Sequence, residues 1–176
     1  MKSGTMMRAV VLATALAAAG CGGGSSGGTP PAPPAPTTAT VKVSTSGALA
    51  SGVRIGGVDV KLVLPAGVTL GAAADATNPS VLVATPDAVK ASGGPSASAL
   101  VLGVYTPAAG GAPGSVVIHV ADGAGFGAGE LATVTCALAA GSKPASSDFS
   151  LTALQAVDLN GAAVAGLQPA LTATLQ

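Results

Sequence analysis

The chain is sparing with side chains that do chemistry. It has one histidine (His119), one glutamate (Glu130) and two cysteines (Cys21 and Cys136) in 176 residues. Hydrolysis by a carboxylate pair needs a second acid at a fixed distance from the first. Asp122 and Asp158 are the candidate partners for Glu130, but no spacing in the sequence links either to it. Glu130 opens an alternating run behind a Gly-rich turn, where its carboxylate is expected to accept hydrogen bonds from turn amides. His119 lies between Ile118 and Val120 on another alternating run, so it faces away from them and shares its side with Val117. One imidazole and one thiol do not complete a tetrahedral zinc site, and no G-x-S-x-G elbow supplies a nucleophilic serine. A structural or surface histidine is therefore expected. Cys136 shares its two-residue spacing with Ala132, Val134 and Leu138, an apolar face, and reads as a buried free thiol.

Three further patterns carry less than they first offer. Gly123-Ala124-Gly125-Phe126-Gly127-Ala128 fits a loose dinucleotide-binding fingerprint. That fingerprint works only when a helix follows and turns its N-terminus to the phosphates, and here a period-two run follows. Asp158-Leu159-Asn160-Gly161 has the residue types of a calcium loop in miniature but lacks the further oxygen ligands and the closing bidentate acid. It reads instead as a type I′ hairpin turn. Tyr105 and Phe126 are the residues that would stack on sugar at a surface. With no Trp and one Tyr, a stacking platform is hard to build, and Phe126 and Phe149 are expected in the core. No catalytic, cofactor-binding or metal-ligating residue is assigned, no cofactor is expected, and the chain is read as a non-enzyme.

The elements that position these residues are strands. Val58, Val60, Leu62 and Leu64 recur every second residue with Asp59 and Lys61 between them, the mark of a half-buried strand. Thr40–Thr45, Val68–Leu70, Ser80–Ala84, Ala99–Thr106, Ser115–Val120, Glu130–Leu138, Phe149–Leu159 and Leu171–Leu175 are extended runs set off by Gly and Pro. Ala99–Thr106 is apolar almost throughout. Residues 71–78 and 86–93 are Ala-rich and have room for a helical turn, but lack an apolar stripe. About nine short strands with regular turns predict an all-β sandwich or barrel over residues 40–176, a length sufficient to bury a core.

Charge narrows the partners. Seven basic residues balance seven acidic ones. Loss of an N-terminal leader holding Lys2 and Arg8 leaves five against seven, a formal charge of −2. Nucleic-acid binding needs a positive face and stacking groups. Neither is present, so nucleic acid is set aside.

The front of the chain has its own logic. Lys2 and Arg8 precede an apolar run, Ala9–Ala19, too short to cross a hydrocarbon core of about 30 Å. Leu16-Ala17-Ala18-Ala19-Gly20-Cys21 follows. These residues resemble the lipobox signal peptides of bacterial lipoproteins. The resemblance implies removal of residues 1–20, lipid on the Cys21 sulfur and export to the cell envelope. Gly22 rather than Asp after the cysteine implies the outer membrane of a Gram-negative bacterium. Residues 21–39 then form a tether. Gly22–Gly28 is Gly and Ser only, and Thr29–Pro36 holds five prolines in eight residues. Such a segment has no apolar face to bury, and extended it reaches roughly 60 Å.

Gly125–Leu138, with its Gly-rich turn leading to Glu130-Leu131-Ala132 and an alternating strand, resembles a stretch of cohesin domains. Val157–Gly161 with Val164 resembles their late hairpin, and Val53–Leu70 has the placement of an early cohesin strand. The resemblance implies a jelly-roll sandwich of about nine strands whose work is gripping another protein, as cohesins grip dockerins. The expected function is thus a membrane-anchored, non-enzymatic protein-interaction module outside the cytoplasm. The second reading is a carbohydrate-binding module for a surface polysaccharide, and the third a passive structural surface component.

Overall fold

In the structure, a computed structural model, residues 34–176 are described. The leader, Cys21 and most of the tether lie outside them. Eleven strands form two antiparallel sheets. The first sheet runs β11 (Gln168–Leu175), β1 (Thr38–Ser46), β9 (Glu130–Leu138), with β3 (Val68–Leu70) and β6 (Val89–Ala91) both on the far side of β9. The second runs β10 (Ser150–Asp158), β2 (Ile55–Leu64), β8 (Gly114–Phe126), β7 (Leu100–Thr106), β5 (Leu82–Ala84), β4 (Ala72–Ala74). The chain crosses from one sheet to the other repeatedly, as in a jelly roll, and the expected all-β sandwich is what forms.

Alternation builds the core. Val58, Val60, Leu62 and Leu64 of β2 and Val116, Ile118 and Val120 of β8 point inward from the second sheet. Ala39, Val41 and Val43 of β1 and Ala132, Val134 and Cys136 of β9 meet them from the first. Irregularities re-aim particular side chains. Val43 pairs with Ala132 but Ser44 with Glu130, so Leu131 is an extra residue. This bulge lets Leu131 and Ala132 both face inward. On β8, residues 122–125 have no partner on β2: Gly57 pairs with Ala121 and Ile55 with Phe126. A third irregularity lies in β10, between Thr152 and Gln155, where Ala153 takes a left-handed φ of 54°.

Several expectations need correction. The Ala-rich segments at 71–78 and 86–93 hold the short strands β4 and β6, not helical turns, because pairing to β5 and β9 decides such brief segments. The helical structure described is one 3₁₀ turn, Ser146–Asp148, and no described helix is long and apolar enough to cross a membrane. β1 begins at Thr38, two residues before the expected opening at Thr40. The Gly-rich stretch is not wholly a turn, since β8 continues through Phe126. The Asn160-Gly161 turn is not type I′, which needs positive φ at both residues. Gly161 alone has it, at 81°. The Gly161 amide donates to the Asp158 carbonyl at 3.1 Å and the Asp158 amide to the Ala162 carbonyl at 2.8 Å, which makes a three-residue loop closed by a left-handed glycine.

Candidate functional site

The outer face of the second sheet gathers side chains that sequence spacing kept apart. Register lines up Gln155, Asp59, His119 and Leu102 across β10, β2, β8 and β7. The next row is Val157, Gly57, Ala121 and Leu100. Small residues at the middle of that row and large ones at its ends make a trough. Its volume is about 450 Å³, with Gly57 and Ala121 low and Leu100, Leu102 and Val157 standing around them. It continues into a neighbouring hollow of about 430 Å³ bounded by Leu159, Asp122 and Asp158. A β-carbon on Gly56 would lie 2.8 Å from the Asp158 carbonyl oxygen, so only glycine lets the Asp158–Leu159 turn fold this close over the strand.

The trough is apolar where solvent meets it. Leu100 is 76% exposed, Leu159 49%, Leu102 45% and Val157 38%. These are the four large exposed hydrophobic residues of the described domain, and all four border this surface. Apolar side chains scattered singly on a surface mean little, whereas a contiguous patch is a candidate site for a protein, a membrane or a ligand. The continuous apolar run of β7 therefore divides between core and surface: Gly103 and Tyr105 are buried, while Leu100 and Leu102 are not.

One polar pair stands within this apolar surface. His119 Nδ1 donates to Asp59 Oδ1 at 2.7 Å. Both side chains are part-exposed, and such pairs add little to stability. The pair is a polar point among hydrophobic neighbours. His119 thus shares its side with Val117, as its position requires, but its acid partner is Asp59, a residue that spacing alone did not nominate.

The other candidates are dispersed. Glu130 does not bind turn amides. Its side chain lies over the first sheet, with Lys42 Nζ donating to Oε2 at 3.0 Å. The Ser92 hydroxyl and then Lys42 hold its carboxyl below the usual range. Asp122 and Asp158 do border one hollow, but each carboxylate already accepts backbone hydrogen bonds. Asp122 accepts from the amides of Ser96 at 2.6 Å and Ala124 at 2.9 Å, and these bonds, Ser96 first, lower its pKa. Asp158 Oδ1 accepts from the amides of Ala162 at 2.9 Å and Asn160 at 2.8 Å, which lower its pKa likewise. Its oxygens brace the loop, as the hairpin reading expects. The Gly123–Ala128 stretch is followed by β9, so no helix N-terminus meets it.

Tyr105 does not reach the surface. It is 8% exposed, and Phe149 and Phe126 are buried more deeply still. All three aromatic side chains of the chain are therefore inside, and no stacking platform for sugar exists among them. Cys136 is buried and free, and burial pushes its thiol up to about 12. The reactive thiolate is then scarce at neutral pH. A thiol reagent is expected to modify Cys136 slowly in the native domain and quickly in denaturant. Equal rates would contradict the burial.

No family model and no curated protein matches the sequence. Among solved structures, the fold is similar to a non-cellulosomal cohesin from the hyperthermophilic archaeon Archaeoglobus fulgidus. The two share 14% sequence identity and a TM-score of 0.39, over 74% of this chain and 75% of that one.

Proposed function

We propose that the domain is a non-enzymatic protein-interaction module that docks its partner on the trough of the second sheet. One observation carries this reading: the four large exposed hydrophobic side chains converge on a single surface, with the Asp59–His119 pair set among them. Removing apolar surface from water is worth about 25 cal/mol per Å². Four adjacent apolar side chains form a contiguous patch of the kind that marks interaction surfaces, and the polar pair among them supplies a point that fixes orientation. In this reading the leader is removed, lipid on Cys21 holds the chain to the envelope outside the cytoplasm, and the tether carries the domain clear of the membrane. Two or more acyl chains make that anchor firm.

The test is capture of a partner from envelope and culture-medium fractions of the native organism. Wild-type protein is compared with a Leu100→Asp, Val157→Asp double variant and with Thr135→Asp, an exposed position on the first sheet. The double variant is expected to lose capture while keeping its stability within about 1 kcal/mol, since both side chains are largely outside the core. Thr135→Asp is expected to retain it. Equal capture by all three would end the docking-face assignment, and retention on insoluble polysaccharide instead would replace protein by glycan as the ligand. The anchor is tested separately. Cells fed labelled fatty acid are expected to label the wild-type chain but not Cys21→Ser, and equal labelling would refute lipidation at Cys21.

A further inference from the structure

The chain has two asparagines, and their C-terminal neighbours differ sharply. Asparagine closes to a cyclic imide when the backbone nitrogen of the next residue attacks its side-chain carbonyl carbon. Asn78 precedes Pro79, whose ring nitrogen has no proton to give up. Asn160 precedes Gly161, whose lack of a β-carbon leaves the nitrogen unobstructed. Both Asn160 and Gly161 are exposed at the tip of the loop that closes β10. The space that a β-carbon on Gly161 would occupy is open, with no atom within 4 Å. The nitrogen donates to the Asp158 carbonyl at 3.1 Å, near the long end of the usual range, and the Asp158 carboxylate draws further on the Gly161 amide and the Asn160 side chain; all of these contacts lie at the exposed surface.

We propose that Asn160 is a site of spontaneous deamidation, and that its conversion remodels the rim of the apolar trough. The Gly161 nitrogen bonds to Asn160 Cγ, the bond from Cγ to Nδ2 breaks, and the nitrogen leaves as ammonia after taking up the proton that Gly161 gives up. Water then opens the ring at either carbonyl, which yields aspartate or isoaspartate. Nothing is oxidised or reduced, and water is the only co-reactant. Either product places a new carboxylate next to Asp158. Isoaspartate also routes the backbone through the side-chain methylene, which lengthens the loop. That loop carries Leu159 and its base carries Val157, two of the four hydrophobic residues of the trough. The effect on docking rests on the function proposed above, whereas the chemistry at Asn160 does not.

The molecule contains its own contrast. Asp122-Gly123 offers the same glycine to an acid that closes the same ring. Asp122 is 4% exposed, and its two oxygens are tied to the amides of Ser96 and Ala124. Its carboxyl is buried as well as bonded, whereas the Asn160 side chain and the Gly161 nitrogen lie at the exposed surface.

Full-length protein incubated warm at mildly alkaline pH provides the test, with peptide mass mapping and an isoaspartate-specific methyltransferase as probes. The peptide holding Asn160 is expected to gain roughly one dalton and accept methyl groups. Peptides holding Asn78 and Asp122 are expected to change in neither way, and Asn160→Gln is expected to lose the signal. An unaltered Asn160 after the time in which a free peptide of the same sequence converts completely would overturn the site. Aged wild type is further expected to capture less partner than equally aged Asn160→Gln. Equal capture by the two would overturn the effect on the trough and leave the mass result standing.

Discussion

Replacing Phe126 with alanine is expected to cost the domain about 3–5 kcal/mol, the range for deleting a fully buried aromatic ring. Phe126 is 1% exposed, the bulkiest of the fully buried side chains. It also has a local task. β8 leaves its partner over residues 122–125 and rejoins it where Phe126 stands opposite Ile55. The ring therefore pins the far end of a strand that four residues have pulled away from the ladder. A domain of this size holds about 5–15 kcal/mol in total, so this one substitution removes a large share. Denaturant unfolding is expected to show a midpoint well below that of wild type at an unchanged slope. A shift worth less than about 1 kcal/mol would mean that the site collapses around the missing ring.

A smaller change at Gly47 is expected to act nearly as strongly. Its φ is 124°, and a β-carbon there would collide with the Gly166 carbonyl oxygen. A side chain at positive φ costs about 1–2 kcal/mol, and overpacking about 1–3 kcal/mol more. Here the obstructing atom belongs to the backbone, which cannot swing aside as a side-chain end does. Gly47→Ala is therefore expected to lose about 3 kcal/mol. Gly166→Ala is the comparison. Its φ is 81° but its β-carbon position is open, so about 1–2 kcal/mol is expected from conformation alone. The difference between the two variants measures the close approach of the two chain segments. Equal losses would assign the whole effect to φ.

The sequence carried the core more openly than the surface. The period-two pattern of Val58–Leu64 identifies both the strand and its buried face, because a half-buried strand must alternate. Leu131 breaks that rule, and the bulge that turns it inward is set by the partner strand, not by its own neighbours. The Asp59–His119 pair was hidden for a related reason. The two residues are 60 positions apart and meet only because β2 and β8 pair in one register. Leu100 and Leu102 were illegible for another reason. An apolar run on both faces reads as buried, but exposure depends on whether another element covers the outer face, and none of the described elements does. Glu130 met Lys42 across strands instead of the amides beside it.

The position of β1 has a mechanical consequence. The chain enters the sandwich at Thr38, beside Gln176 and at the end of the domain where β2 finishes at Leu64 and β8 begins at Gly114. The trough lies toward the opposite end, near Ile55 and Ala121. In the function proposed above, tension between an anchored N-terminal segment and a partner on the trough would run along the strands, not across them. It loads β1 in shear while β11 and β9 grip it from either side. Two ladders must then yield together, where a peeling geometry would release hydrogen bonds one at a time.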